Sequence, residues 1–292
     1  MNYFLKTRLS IRLFHYVLGM FVALAMNPRT PCQFIREQRD CYSQEMIANP
    51  NRPTVANPAD ITQYGVLELE QGWEHAWPAA GVHQTDFPTL LKFGLLCGLE
   101  IRWAPTAYLS QSNSAGTERG WGDTWLGPQF LFYKQTAHIP SLALSYAVKI
   151  PTANRDKGLG TGRFDHAVTL LASKDFGKTH VDVNATYFLI GRTPVGFLHD
   201  WQMNLSVAHP LRGPWGLTTE IYGNTRLDSN TPGFVSSLWA LTYNVSPRLV
   251  LDGGIDVGLS RDAPNKRVFA GFTFSLINLY RFFGSRSNSP GP

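Results

Sequence analysis

The segment Val181-Asp182-Val183-Asn184-Ala185-Thr186-Tyr187 alternates apolar and polar residues one by one. A period of two places successive side chains on opposite faces of a β-strand, so one face is apolar and the other polar. The same alternation recurs from Tyr64 to Ser275. Leu67, Leu69 and Trp73 oppose Glu68, Glu70 and Glu74, and Leu249, Leu251 and Ile255 oppose Asp252 and Asp256. Two architectures accommodate repeated strands of this kind. In a soluble sandwich the apolar faces meet in a core, whereas in a membrane barrel they face lipid and the polar faces line a lumen.

The connections separate the two. Short ones at 95–98, 134–140, 174–178, 209–214 and 245–247 alternate with longer ones at 78–85, 108–121, 151–163, 190–199, 224–233 and 259–265. Outer-membrane barrels sort their loops in this way, with short periplasmic turns and longer outer loops. A sandwich has no reason to. Ionised residues stay on the polar face: Glu70, Glu100, Arg102, Lys149, Asp182 and Asp252. Trp77, Trp103, Tyr146 and Trp201 lie on the apolar face or near strand ends, where interfacial aromatic girdles belong. The fold class expected is all-β, a single antiparallel transmembrane β-barrel of about 12 strands over residues 63–276. An even strand count puts both termini in the periplasm.

The flanks fit an exported protein. Lys6, Arg8 and Arg12 precede an apolar run from Leu13 to Ala25, and Ala23-Leu24-Ala25 has small residues where a signal peptidase needs them. Residues 1–25 are therefore expected to be a signal peptide, and the location the bacterial outer membrane. No internal run of about 18 apolar residues exists, which excludes a helical membrane protein. The net charge of +5 falls to +2 without the three basic residues of the signal, so charge supplies no case for a nucleic-acid partner. Residues 26–62, dotted with Pro50, Pro53 and Pro58, are expected to form an irregular periplasmic leader, and residues 277–292 a C-terminal extension. Cys32 and Cys41 are close enough in an exported chain to form a small-loop disulfide or to remain free thiols, and Cys97 falls in a tight turn. No Cys/His spacing suits a metal, and no cofactor is expected.

Four short segments resemble a known family. Gly120-Trp121-Gly122-Asp123-Thr124-Trp125-Leu126-Gly127-Pro128-Gln129 resembles a GxGDxxLGxK strand opening, with Gln129 in place of the usual Lys. Leu142 to Thr152, ending Lys149-Ile150-Pro151-Thr152, resembles the family's K-x-P-T-G strand, with Ala153 in place of the usual Gly. Leu159-Gly160-Thr161-Gly162-Arg163-Phe164-Asp165 resembles LGTGxxD, and Asp262-Ala263-Pro264-Asn265 resembles the turn before the last strand. In order and spacing they are similar to the meta-pathway phenol-degradation family of outer-membrane proteins, over about residues 57–274. The resemblance implies a bacterial outer-membrane barrel that carries small, often aromatic, compounds. Such barrels end on an aromatic read by the insertion machinery. Phe274 is preferred to Phe283 for that role, because alternation decays after Leu276.

The candidate site is the lumen itself. Glu70, Lys92, Glu100, Arg102, Lys149, Asp182 and Glu220 are expected to line and polarise it for a small-molecule solute, without reacting. The acidic residues on the first strand and Glu100 are expected to face Lys92, Arg102 and Lys149. The expected partners are outer-membrane lipid, the solute and the barrel-insertion machinery. The function expected is a solute channel working by passive or facilitated diffusion. The alternatives are a barrel lipid hydrolase, or a plugged structural or adhesive barrel whose lumen is filled by side chains or by the leader. For strand 181–187 the expectation is that Lys at Val183 is costly and Lys at Asn184 is tolerated.

Overall fold

The computed structural model describes residues 45–77, 81–192, 195–226, 232–260, 263 and 266–282. The expected signal peptide, the pair Cys32 and Cys41, Phe283 and most of the Asp262–Asn265 motif lie outside the described residues. Thirteen strands follow in chain order: β1 (Val66–Trp77), β2 (His83–Leu96), β3 (Leu99–Asn113), β4 (Gly116–Gly120), β5 (Thr124–Tyr133), β6 (Ser141–Ile150), β7 (Asp165–Phe176), β8 (Thr179–Gly191), β9 (Phe197–Pro210), β10 (Trp215–Arg226), β11 (Pro232–Ser246), β12 (Leu249–Gly258) and β13 (Lys266–Asn278). All pairings between strands are antiparallel. β1 pairs with both β2 and β13, and β2 also pairs with β3, so the sheet closes. β4 pairs only with the outer part of β3, from Leu109 to Asn113. The ring therefore has the twelve strands expected, and the thirteenth is a short hairpin arm inside the connection read as loop 108–121.

The two faces fall as the alternation requires. Outward residues are exposed apolar side chains: Val183, Met203, Leu205, Ile221, Trp239, Leu241 and Ile255 are each about two-fifths exposed or more. No folded core covers them, and a belt of this kind is stable only against lipid. Aromatic pairs mark its two rims. Tyr187 packs on Trp201 at 4.8 Å between ring centroids near the outer loops, and Trp215 packs on Tyr243 at 4.8 Å near the periplasmic turns. The chain is an outer-membrane β-barrel.

The barrel's C-terminal boundary differs from the reading of the sequence. β13 continues to Asn278, and Tyr280 beyond it packs on Tyr64 and donates its hydroxyl to the Leu95 carbonyl. Residues 277–282 thus belong to the periplasmic rim. Phe274 faces outward beneath the Arg248 guanidinium but does not end the strand. Cys97 sits in the β2–β3 turn as expected, and it is disulfide-bonded, which its position in a tight turn did not suggest.

The larger correction concerns the leader. Residues 45–62 are irregular, as expected, but they lie inside the barrel and not in the periplasm. Ala56 and Ala59 are fully buried, Ala59 against the inward residues Ala143 and Leu171. The segment enters near the β11–β12 turn, where the Ala48 N–H donates to the Pro247 carbonyl. It rises to Val55, which packs on Tyr222, Phe234 and Ala263 toward the outer loops, and then descends to β1. It forms a hairpin-shaped plug with two arms and an apex.

The plug also revises the opening strand. Val183 faces lipid, 42% exposed, but Asn184 is 2% exposed and exchanges hydrogen bonds with the Asn57 backbone. Lys at Val183, mid-strand, should cost about 2–4 kcal/mol if it meets the bilayer midplane. Lys at Asn184 should also destabilise, because it removes both bonds to the plug and buries a charge among them. Urea unfolding of the refolded protein in lipid vesicles checks both. A neutral Asn184→Lys would mean that the plug is not bound there.

Candidate functional site

A segment without helix or strand leaves its backbone N–H groups unpaired, and a buried unpaired N–H costs about as much as a lost hydrogen bond. The lumen wall supplies the acceptors. On the first arm, Glu68 accepts from the Asn49 N–H at 2.9 Å, and the two carboxylate oxygens of Glu70 accept from the Asn51 and Arg52 N–H groups at 2.8 and 3.1 Å. At the apex, Glu220 accepts from Val55 and Ala56, both at 2.7 Å. On the second arm, Asn184 accepts from Asn57, the Ser173 hydroxyl from Ala59 and Glu100 from Thr62, each at 2.7 Å. Pro50, Pro53 and Pro58 have no N–H to satisfy. The prolines that mark the leader as loose in the sequence are thus the residues that reduce its need for partners in the lumen.

The carboxylates are held by cations. Lys92 is fully buried, with its Nζ 2.7 Å from both Glu68 Oε1 and Glu70 Oε1. It also donates to the Asn49 carbonyl and to Asn51 Oδ1, so one ammonium ties two wall carboxylates to the plug. Arg102 pairs with Glu100 at 2.5 Å. Arg52 of the plug reaches out to the wall, 3.1 Å from Asp252 and 3.8 Å from Glu74, and Glu74 in turn holds Arg267 at 2.7 Å. Arg52 lies over Gly72 and Gly271, which are direct partners across β1 and β13. A Cβ at Gly72 would come within 2.2 Å of the Arg52 guanidinium, and one at Gly271 within 2.5 Å. On the second arm, Asp60 accepts from the Ser141 hydroxyl at 3.2 Å, and burial holds its carboxyl above the usual carboxylate range.

Of the residues singled out in the sequence, Glu70, Lys92, Glu100 and Glu220 touch the plug directly. Arg102 acts on Glu100. Asp182 accepts from Ser173 at 2.5 Å, from Ser206 at 3.1 Å and from His180 at 3.0 Å, and so orients the serine that accepts from Ala59. Lys149 does not face the acidic residues of β1, as the sequence suggested. It sits near the outer end of β6, 2.5 Å from Asp165 and 3.4 Å from Asp123. Asp123, Lys149 and Asp165 come from three of the motifs that carry the family resemblance. Their convergence fastens the β6–β7 loop, whose Leu159 is buried with Leu109 and Ala153. Gln129, which replaces the usual Lys, is fully buried and donates to the Pro58 and Ala59 carbonyls at 3.0 and 3.2 Å. Arg52, Ser173 and the glycine pair were not singled out. An arginine within an apparently loose leader was the one signal available.

Between the plug and the inward faces of β8 to β12 lies a cavity of about 760 Å³ that extends to the periplasmic turns.

Removing Lys92 leaves Glu68 and Glu70 buried without their shared counter-ion. Lys92→Met should therefore destabilise the barrel by about 3–5 kcal/mol, the usual cost of breaking a buried pair from one side. Denaturation midpoints in detergent test this, with Lys149→Met as a comparison that leaves the plug contacts in place.

Solved structures of outer-membrane channels and porins are similar to this chain. The COG4313 outer membrane channel from Pseudomonas putida F1 superposes with a TM-score of 0.60 at 14% identity, over 76% of this chain and 99% of that one. The NanC porin superposes with a TM-score of 0.51 at 10% identity, over 72% of this chain and 100% of that one. Comparison with curated protein sequences finds no match. The family model described as "Putative MetA-pathway of phenol degradation" matches residues 79–276, from the first connection into the last strand. The chain belongs to that family.

Proposed function

We propose that this protein is an outer-membrane channel for small solutes in which residues 45–62 are a resident plug that sets how much of the lumen is passable. The observation that carries the proposal is the pairing of the plug's backbone with single side chains on the wall, beside a cavity of about 760 Å³ that the plug leaves free. Such contacts can be released one at a time, unlike a covalent or sheet-like closure. Glu70, Lys92, Glu100, Arg102, Asp182 and Glu220 act by holding the plug, and Lys149 by shaping the outer mouth. Aromatic or hydrophobic solutes are the first to test, because the family is named for phenol degradation. The barrel-insertion machinery remains the partner assigned to assembly.

Two other readings are weaker. A structural or adhesive barrel is favoured by the filling of the lumen, and it predicts no flux. A lipid hydrolase needs a hydroxyl, a histidine and a carboxylate in one chain of hydrogen bonds. His180, the histidine that holds two carboxylates, spends both ring nitrogens on Asp175 and Asp182 and carries no hydroxyl partner.

Planar-bilayer recording separates the channel from the first alternative. The wild type is expected to show small conductance steps. Glu220→Ala, which removes both acceptors at the apex, is expected to give larger and longer openings. Silence from both proteins would sink the channel reading.

A further inference from the structure

The plug is bound unevenly around the barrel. Its arms are hydrogen-bonded to β1, β2, β3, β5, β6, β7 and β8. Toward β9–β12 the apex bonds to Glu220 and Asp252, and the rim to Pro247. Below Glu220 and Asp252 the wall carries small polar residues that face the cavity of about 760 Å³, Ser206, Thr218 and Thr242 among them. On the plug side the cavity is bounded by Pro50, Pro53 and Pro58. It reaches the periplasmic turns through Gly213, Pro214 and Pro247, while the apex closes it above.

The size is within the range of about 300–1,000 Å³ typical of small-molecule sites. Of the charged groups at its boundary, Arg52 is paired with Asp252 and His180 with Asp182, and Asp60 accepts from the Ser141 hydroxyl. What remains for an occupant beside Asp60 is hydroxyl groups, amides and proline rings. An ion brought here would lose hydration in return for at most the single Asp60 carboxyl, whereas an uncharged molecule with one hydrogen-bonding edge and an apolar body loses little.

We infer that this chamber is the last station of an uncharged solute before the periplasm, on the β9–β12 side of a plug whose arms stay docked. Its gate is the apex, residues 52–56, held by Glu220 and by Arg52 on Asp252. The inference rests on the channel reading and adds the route, the solute's charge class and the moving part.

The test uses the full-length protein in vesicles carrying Thr242→Cys in the chamber or Ser173→Cys beneath the second arm. A small uncharged maleimide is added, and labelling is read from the mass of the peptide containing each site. Thr242→Cys should label about tenfold faster or more, because Ser173 is reached only if the arm leaves. Labelling at Thr242→Cys should also cut the influx of arabinose, an uncharged probe, measured by vesicle swelling. Arg52→Ala should raise that influx several-fold while Ser173→Cys stays protected. Equal labelling at the two sites, full influx after Thr242→Cys is labelled, or loss of protection at Ser173→Cys in the Arg52→Ala background would each overturn the inference. Absence of influx through the wild type would count against the channel reading, and the labelling rates would still decide the chamber.

Discussion

The interaction on which the rest depends is the acceptance of plug N–H groups by carboxylates on the inner wall. An irregular segment can occupy a buried lumen only if its backbone donors are satisfied there. Glu68, Glu70, Glu100 and Glu220 do this, and each carboxylate can be buried only because something else compensates it. Lys92 and Arg102 supply charge, Asn204 donates to Glu220, and the plug's own N–H groups complete each shell. Wall and plug are therefore interdependent. Without the plug the carboxylates would need water, and without the carboxylates the plug would need a secondary structure that its prolines forbid.

The outer face follows a different rule. There the requirement is only that apolar side chains meet lipid and aromatic ones meet its boundary, which many sequences satisfy. Side chains such as Val183, Leu205 and Ile255 are individually replaceable within that class. The inner face is specific by comparison: moving one carboxylate by two residues would miss its N–H partner. Near identity to other barrels is therefore not needed for a shared outline, and a TM-score of 0.60 at 14% identity is consistent with that.

Much of this was legible in the sequence. Strand count, closure, the direction of the faces and the periplasmic side followed from alternation and loop length, because both are local properties of the chain. The inward placement of Glu70, Lys92, Glu100, Asp182 and Glu220 followed for the same reason. Their purpose did not. Glu220 meets Val55 across 165 positions and Arg52 meets Asp252 across 200, and no periodicity encodes a separation of that kind. Lys149 was misassigned because a polar face says which way a side chain points but not at what height its partner lies. Residues 45–62 were expected in the periplasm, with a lumen filled by the leader kept only as an alternative, because a segment without periodicity carries no sign of what will surround it.

The sequence by itself determined a two-faced, closed, exported barrel, since a period of two and alternating loop lengths leave little else for these strands to form. Only the tertiary structure decided that the polar face serves a segment of the same chain before it serves a solute. The physical reason is that hydrogen-bond acceptors are read by distance in space, and the strand's alternation sets only their direction.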